Sequence, residues 1–207
     1  MDLWTRLEAA RSRWNVLEHP FYRRWSEGTL TRAELGAYAG QYRHAVVALA
    51  AASRSAAAQA TGAEARELDE HAREEAGHVE LWDSFARAVG GDVAAPAEPE
   101  TGACARAWAR PGRELLPTLV ALYAIESAQP AIAETKRAGL RERYGIEEAA
   151  YFDVHAERDR EHAAAARALI EARLDGADHD ALVAEAEAVL RANWGLLDGV
   201  ERLPAAR

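Results

Sequence analysis

The sequence predicts an all-α fold, a single bundle of seven helices over residues 1–207. Three observations carry that reading. Alanine, leucine, glutamate and arginine dominate, and all are good helix formers. Alternating β-branched runs, the mark of half-buried strands, are absent. Glycine and proline punctuate the chain at intervals long enough for helices of several turns.

The opening "MDLWTRLEAARSRW" is charged from its second residue and reads as a helix, not a signal peptide. "LTRAEL" has capping-box spacing, Thr31 to Glu34, ahead of a long helix that runs to Gly62. A second helix ends near Gly90-Gly91, and "GGDVAAPAEPETG" is the longest loop candidate. A long helix is expected over about 113–144, with Pro117 in its first turn and Pro130 kinking its middle. Gly145 ends it, and two further helices, about 147–174 and 178–194, are divided by Gly176. Nothing resembles an interdomain linker.

A chain of 207 residues that is 49% hydrophobic can bury one substantial core. Net charge is −9 and no basic stripe appears, which argues against nucleic-acid binding. No apolar run is expected to span a membrane. The single cysteine, Cys104, suits the reducing cytoplasm and reads as a small buried side chain.

Chemistry enters with "HAERDREH", residues 155 to 162. On a helix, Asp159 lies about 40° to one side of His155 and His162 about 20° to the other. The ordinary reading is a solvated charged face. However, "HAREEAGH" repeats the spacing as His71, Glu75 and His78, and four of the seven histidines fall in these two segments. Glu75-x-x-His78 is also the spacing by which helical bundles ligate paired metals. Glu74, one residue off, is an alternative ligand. "YAIESAQP" adds Glu126 after the apolar run "LLPTLVALYAI", where a carboxylate needs a cationic partner or a metal. Glu75, His78, Glu126, His155, Asp159 and His162 thus form a candidate set for two divalent metals such as iron or manganese. Lys136 is the one lysine among 25 basic residues, and arginine cannot replace an amine donor or nucleophile. It lies ten residues after Glu126, about 80° round the helix and about 15 Å along it, so periodicity leaves its reach to the metals open.

Four stretches, "LEHPFYRRWSEGTLTRAELGAYA", "EEAGHVELW", "YAIESAQPAIAETKRAGLRERYG" and "AYFDVHAERDREH", resemble the heme-oxygenase-like di-metal oxidases, seven-helix bundles that share the thiaminase II fold. Within them the chain is most similar to the chlamydial death-domain-associating type and its bacterial relatives. The resemblance implies a self-sacrificing p-aminobenzoate synthase of folate biosynthesis. It implies Tyr22 as donor of the aromatic ring, Tyr38 as a second functional tyrosine and Lys136 as donor of nitrogen. It also implies a di-iron or manganese–iron centre, dioxygen, an external reductant and no free organic substrate. A homodimer is the candidate assembly. The ligand set it implies is one glutamate of the pair Glu74 and Glu75 with His78, Glu126, His155, Asp159 and His162. His71 is not implied as a ligand and is expected beside the site or on the surface. The tyrosine that precedes the metal-binding glutamate in the chlamydial type is Ile125 here. Thiaminase II itself is disfavoured, because its nucleophilic cysteine follows a Leu-Pro pair and Thr118 follows Leu116-Pro117. Two other readings are a multiple-turnover oxidase acting on a free amine, amino acid or fatty acid, and a helical interaction protein with a vestigial site.

Overall fold

The computed structural model describes residues 2–203, and among them no strand occurs. Nine α-helices follow in order: α1 Leu3–Arg13, α2 Pro20–Glu27, α3 Arg32–Gln59, α4 Gly62–Val89, α5 Pro99–Ala109, α6 Leu115–Glu126, α7 Gln129–Arg143, α8 Ala150–Glu171 and α9 His179–Glu201. The all-α class holds, but the expected count of seven does not.

Two features of the sequence account for the difference. The loop candidate ends early: α5 begins at Pro99, which presets the first helical turn, and its last carbonyls are capped from outside. Buried Arg113 donates to Trp108 O (2.9 Å) and to Ala107 O while pairing with Glu185 at 2.7 Å. A cation at that end offsets the helix dipole. The expected long helix is two. Pro130 has no N–H to give Glu126 O, and its ring crowds that carbonyl four residues back. The chain therefore stops at Glu126, turns through Ser127 and Ala128, and restarts at Gln129.

The remaining boundaries follow local chemistry. Thr31 and Glu34 form the reciprocal capping box of α3. His19 caps α2 through Nδ1, which accepts from Phe21 N at 3.1 Å. Gly90, at φ 82°, closes α4 in a conformation that side chains disfavour.

Helix α6 lies against α3, α7, α8 and α9, and every residue from Thr118 to Ile125 except Tyr123 is buried, as is Glu126. The stretch Leu115–Arg143 is, against expectation, long and apolar enough by composition to cross a membrane, but most of it is buried in the bundle. Helix α7 packs between α2 and α8. Three buried tryptophans tie neighbours together through indole N–H bonds to helix carbonyls: Trp25 to Lys136 O (3.2 Å), Trp82 to Ala39 O (2.8 Å) and Trp108 to Val189 O (3.1 Å). Cys104 is fully buried on α5.

The contact of α2 with α7 depends on Gly139. A Cβ there would stand 2.6 Å from the Trp25 indole. We predict that Gly139→Ala destabilises the protein by roughly 1–3 kcal/mol, overpacking outweighing the better helix propensity of alanine. A urea midpoint at or above wild type would show that Trp25 yields freely.

Candidate metal centre

Three helices bring their polar residues to one buried point. Helix α4 supplies His71, Glu75 and His78, α6 supplies Glu126 at its last residue, and α8 supplies His155, Asp159 and His162. Glu126, His155 and Asp159 are completely buried, Glu75 nearly so, and His78 and His162 almost.

The donors fall into two overlapping groups. His71, Glu75, Glu126 and His162 each bring one ligand atom to within 4.8 Å of one another, and Glu75, His78 and His155 do the same. Glu75 is the one residue that belongs to both. Asp159 sits beside the groups. Its Oδ2 lies 2.8 Å from His155 Nδ1, fixing that ring so that Nε2 faces inward, and its Oδ1 stands 3.6 Å from His162 Nδ1. Glu75 Oε1 is 3.0 Å from His78 Nδ1 and 4.0 Å from His162 Nδ1.

Glu74 lies outside. It binds Arg158 at 2.6 Å and His162 Nε2 at 3.0 Å, at the edge of a cleft of about 230 Å³. Both glutamates are within reach of one helix face, but only Glu75 turns to the centre. His71 departs from the expectation drawn from the resemblance. Its side chain is 10% exposed and its Nε2 approaches Glu126 Oε1 to 2.9 Å.

The donors fit a metal. Glu75 Oε2, both oxygens of Glu126, Asp159 Oδ1, His155 Nε2, His162 Nδ1 and His71 Nε2 are buried without a hydrogen-bond partner. Such atoms are costly unless something satisfies them, and carboxylate with imidazole suits first-row divalent ions. Burial and mutual charge set the protonation of the free donors. Burial pushes Glu126 above the usual carboxylate range, against the pull of His71. Burial resists charging His71, but the Glu126 carboxylate outweighs it and lifts the imidazole to about 9. Burial also works against ionising Asp159, yet the His155 and His162 rings hold its carboxyl below the usual range.

The second cluster is aromatic. Lys136 is 1% exposed, and its Nζ lies over the rings of Tyr42 (4.6 Å), Tyr22 (5.2 Å), Tyr38 (5.3 Å), Phe152 (5.3 Å) and Trp82 (5.7 Å). Tyr22 and Tyr38 share a hydrogen bond of 3.0 Å between hydroxyls. Burial holds the amine well below the usual lysine range and both phenols well above theirs. Both shifts favour the uncharged forms, an amine beside two phenols.

The two clusters touch. Tyr151 lies on His155, ring centroids 4.2 Å apart, and meets Trp82 edge-on at 4.8 Å; Trp82 lies 5.0 Å from Tyr42 and 5.9 Å from Tyr38. Sequence reasoning missed Tyr42, Trp82, Tyr151 and Phe152. A signal was present for three: Tyr42 follows Tyr38 by four residues, Trp82 follows His78 by four and Tyr151 precedes His155 by four. Each shares a helix face with a residue already singled out. Ile125, in place of the family tyrosine, is buried on the side of α6 facing Trp108 and Val189. Tyr123 stands on another face, edge-on to Trp4.

The family model of the iron-containing redox enzymes matches residues 36–194. A protein of Chlamydia muridarum named 4-aminobenzoate synthase is 34% identical, the match covering 96% of this chain and 89% of that protein. One of the same name from Nitrosomonas europaea is 32% identical over 90% of this chain and 85% of its own length. Among solved structures, a TenA homologue from Pseudomonas syringae superposes with a TM-score of 0.81 at 18% identity, covering 97% of this chain and 91% of its own. The fold is therefore the TenA and heme-oxygenase-like one.

Two outcomes are expected from this geometry. Glu75→Ala, which removes an atom from both donor groups, should abolish binding of both metals. Glu74→Ala should keep the stoichiometry and weaken affinity about 10–100-fold through the loss of orientation of His162. Elemental analysis after anaerobic loading checks this, and the reverse ranking would place Glu74 in the centre. Lys136→Met should stabilise the metal-free protein at neutral pH. The folded-state amine is depressed, so between its folded and unfolded pKa the unfolded chain holds up to one more proton. The penalty on wild type therefore shrinks by up to about 1.4 kcal/mol per pH unit as pH rises towards 10. Urea curves of both proteins between pH 7 and 10 measure it. A gap independent of pH would mean that the lysine is protonated in its cage.

Proposed function

This chain belongs to the family of iron-containing redox enzymes, and from that premise we propose that it makes 4-aminobenzoate from its own Tyr22 and Lys136. The observation that carries the proposal is the cage. The one lysine of the chain is buried with its Nζ 5.2 Å from the centre of the Tyr22 ring, where burial favours the uncharged amine, and aromatic contacts through Trp82 and Tyr151 link the cage to the metal donors. The relatives named 4-aminobenzoate synthase support the product.

The chemistry required is legible in product and donors. Tyr22 carries a para-substituted ring with one benzylic carbon, and 4-aminobenzoate has the same ring with a carboxylate at that carbon and nitrogen opposite. The Cα–Cβ bond and the phenolic C–O bond of Tyr22 break, Cβ is oxidised to a carboxylate and the phenolic oxygen leaves as water, while a C–N bond forms to Lys136 Nζ and the Lys136 Cε–Nζ bond breaks, so that the nitrogen departs with the ring. Two divalent metals, di-iron or manganese–iron, held by Glu75, Glu126, Asp159 and the histidines, would supply oxidising power from dioxygen with electrons from an external reductant. The chain's own residues do the rest. The cage removes water from the amine and leaves its lone pair free, which arginine would not allow. Tyr38 holds the Tyr22 phenol through its hydroxyl. The buried rings of Trp82 and Phe152 close the cage, so no free organic substrate is needed.

The 230 Å³ cleft beside His71 and His162 favours a second reading, a multiple-turnover oxidase whose free substrate binds there. Turnover number separates the two.

Lys136→Met keeps the stem and avoids forcing a guanidinium charge into the cage, and Tyr22→Phe keeps the ring. Both should fold and load metal, since neither residue is a proposed ligand, and neither should yield 4-aminobenzoate. Wild type should yield at most one equivalent with a matching loss of protein mass. Many turnovers by wild type, or normal yield from Lys136→Met, would reject the self-sacrificing route in favour of the cleft.

A further inference from the structure

We infer that His71 is a ligand of one of the two metals, the one nearer the cleft, and that this makes the two metal positions chemically unlike. The inference rests on the di-metal reading above. The cleft-side position takes His71, Glu75, Glu126 and His162, and the inner position takes Glu75, His78 and His155.

The competing explanation of His71 is an ion pair with Glu126. The geometry does not support it. The 2.9 Å approach of Nε2 to Oε1 engages at most one oxygen of Glu126, and it leaves Glu126 Oε2, Glu75 Oε2 and His162 Nδ1 buried without partners. An ion pair that accounted for this point would leave no such set of orphaned donors around it. A cation between the residues satisfies His71 Nε2, a Glu126 oxygen and His162 Nδ1 together. The rings point the same way. His71 and His162 lie 4.1 Å apart, tilted by 36°. Both rings therefore bring a nitrogen to the same point beside Glu75 and Glu126. On α4, His71, Glu75 and His78 lie at spacings of four and three, so three donors project from one face.

Access differs between the positions. His71 and His162 both line the cleft, while His78 and His155 do not. His155 is fully buried and sealed by Tyr151, which faces the lysine cage. The cleft-side ion is thus the one that exchanges with solution, and the inner ion is the one next to the aromatic cage.

The experiment uses manganese(II) loaded anaerobically into wild type, His71→Gln and His71→Glu, each first checked for helical content by circular dichroism. Glutamine keeps the size and a hydrogen-bond donor but is a poor ligand, whereas glutamate restores a ligand oxygen. Metal content and the electron paramagnetic resonance spectrum are read together. Wild type should bind two ions with a spin-coupled multiline signal. His71→Gln should bind one, with the six-line spectrum of an isolated ion, and His71→Glu should recover two coupled ions. Two coupled ions in His71→Gln at wild-type affinity would overturn the assignment, as would loss of both ions from folded His71→Gln. Fewer than two ions in wild type would instead defeat the di-metal reading itself.

Discussion

Three carboxylates buried in the middle of a helical bundle are the constraint on which the rest of this structure depends. Glu75, Glu126 and Asp159 are all but sealed from water. An uncompensated buried ion costs several kcal/mol, roughly the scale of a domain's whole stability. The bundle answers with four imidazoles, drawn from the same two helices as Glu75 and Asp159. Even so, several oxygens and ring nitrogens have no hydrogen-bond partner within the protein. Protein groups alone do not balance this centre, and a pair of divalent cations would. Helices α4, α6 and α8 must therefore lie side by side, and α6 must end at Glu126, where Pro130 stops it.

The same physics of desolvation gives the opposite result a short distance away. Among the metal donors, charges are close enough to sustain one another, so Asp159 stays ionised and His71 is readily charged. Around Lys136 there are only ring faces, and burial pushes the amine well below the usual lysine range. One compartment sustains charge and the other disfavours it. Between them stand Tyr151, which lies on His155, and Trp82, which meets Tyr151 and faces Lys136. The oxidising centre and the side chains it would consume are thus separate in chemistry but continuous in packing, which a reaction on the protein's own residues requires.

The break between α6 and α7 serves both compartments. It leaves Glu126 at a helix end pointing to the metals, and it lets α7 swing against α2, where Gly139 admits Trp25 and Lys136 enters the cage. An unbroken helix would have carried Lys136 about 15 Å along its axis from Glu126. The single exposed large hydrophobic residue among those described, Val47, shows that little apolar surface is left over from this packing.

The sequence by itself determined what depends on local periodicity and chemistry. Composition and glycine spacing sufficed for the all-α class, Thr31 and Glu34 for the start of α3, and His155, Asp159 and His162 for one donor face, because a helix repeats every 3.6 residues wherever it sits. The motif spacing also sufficed for Glu126 and Lys136 as residues out of place in an apolar or arginine-rich setting. Tertiary structure alone decided the rest. Glu74 and Glu75 stand about 100° apart round α4, and it is the position of α8 that takes Glu74 to Arg158 and leaves Glu75 among the donors. The spacing put His71 on the face of Glu75 and His78, but only the placement of Glu126 and His162, distant in sequence, brings it into the site. The short helix α5 was hidden by the prolines before it, and its end is held by Arg113 and Glu185, which come from elsewhere in the chain. Periodicity specifies which residues share a face, whereas the meeting of faces is set by long-range packing, which no single helix contains.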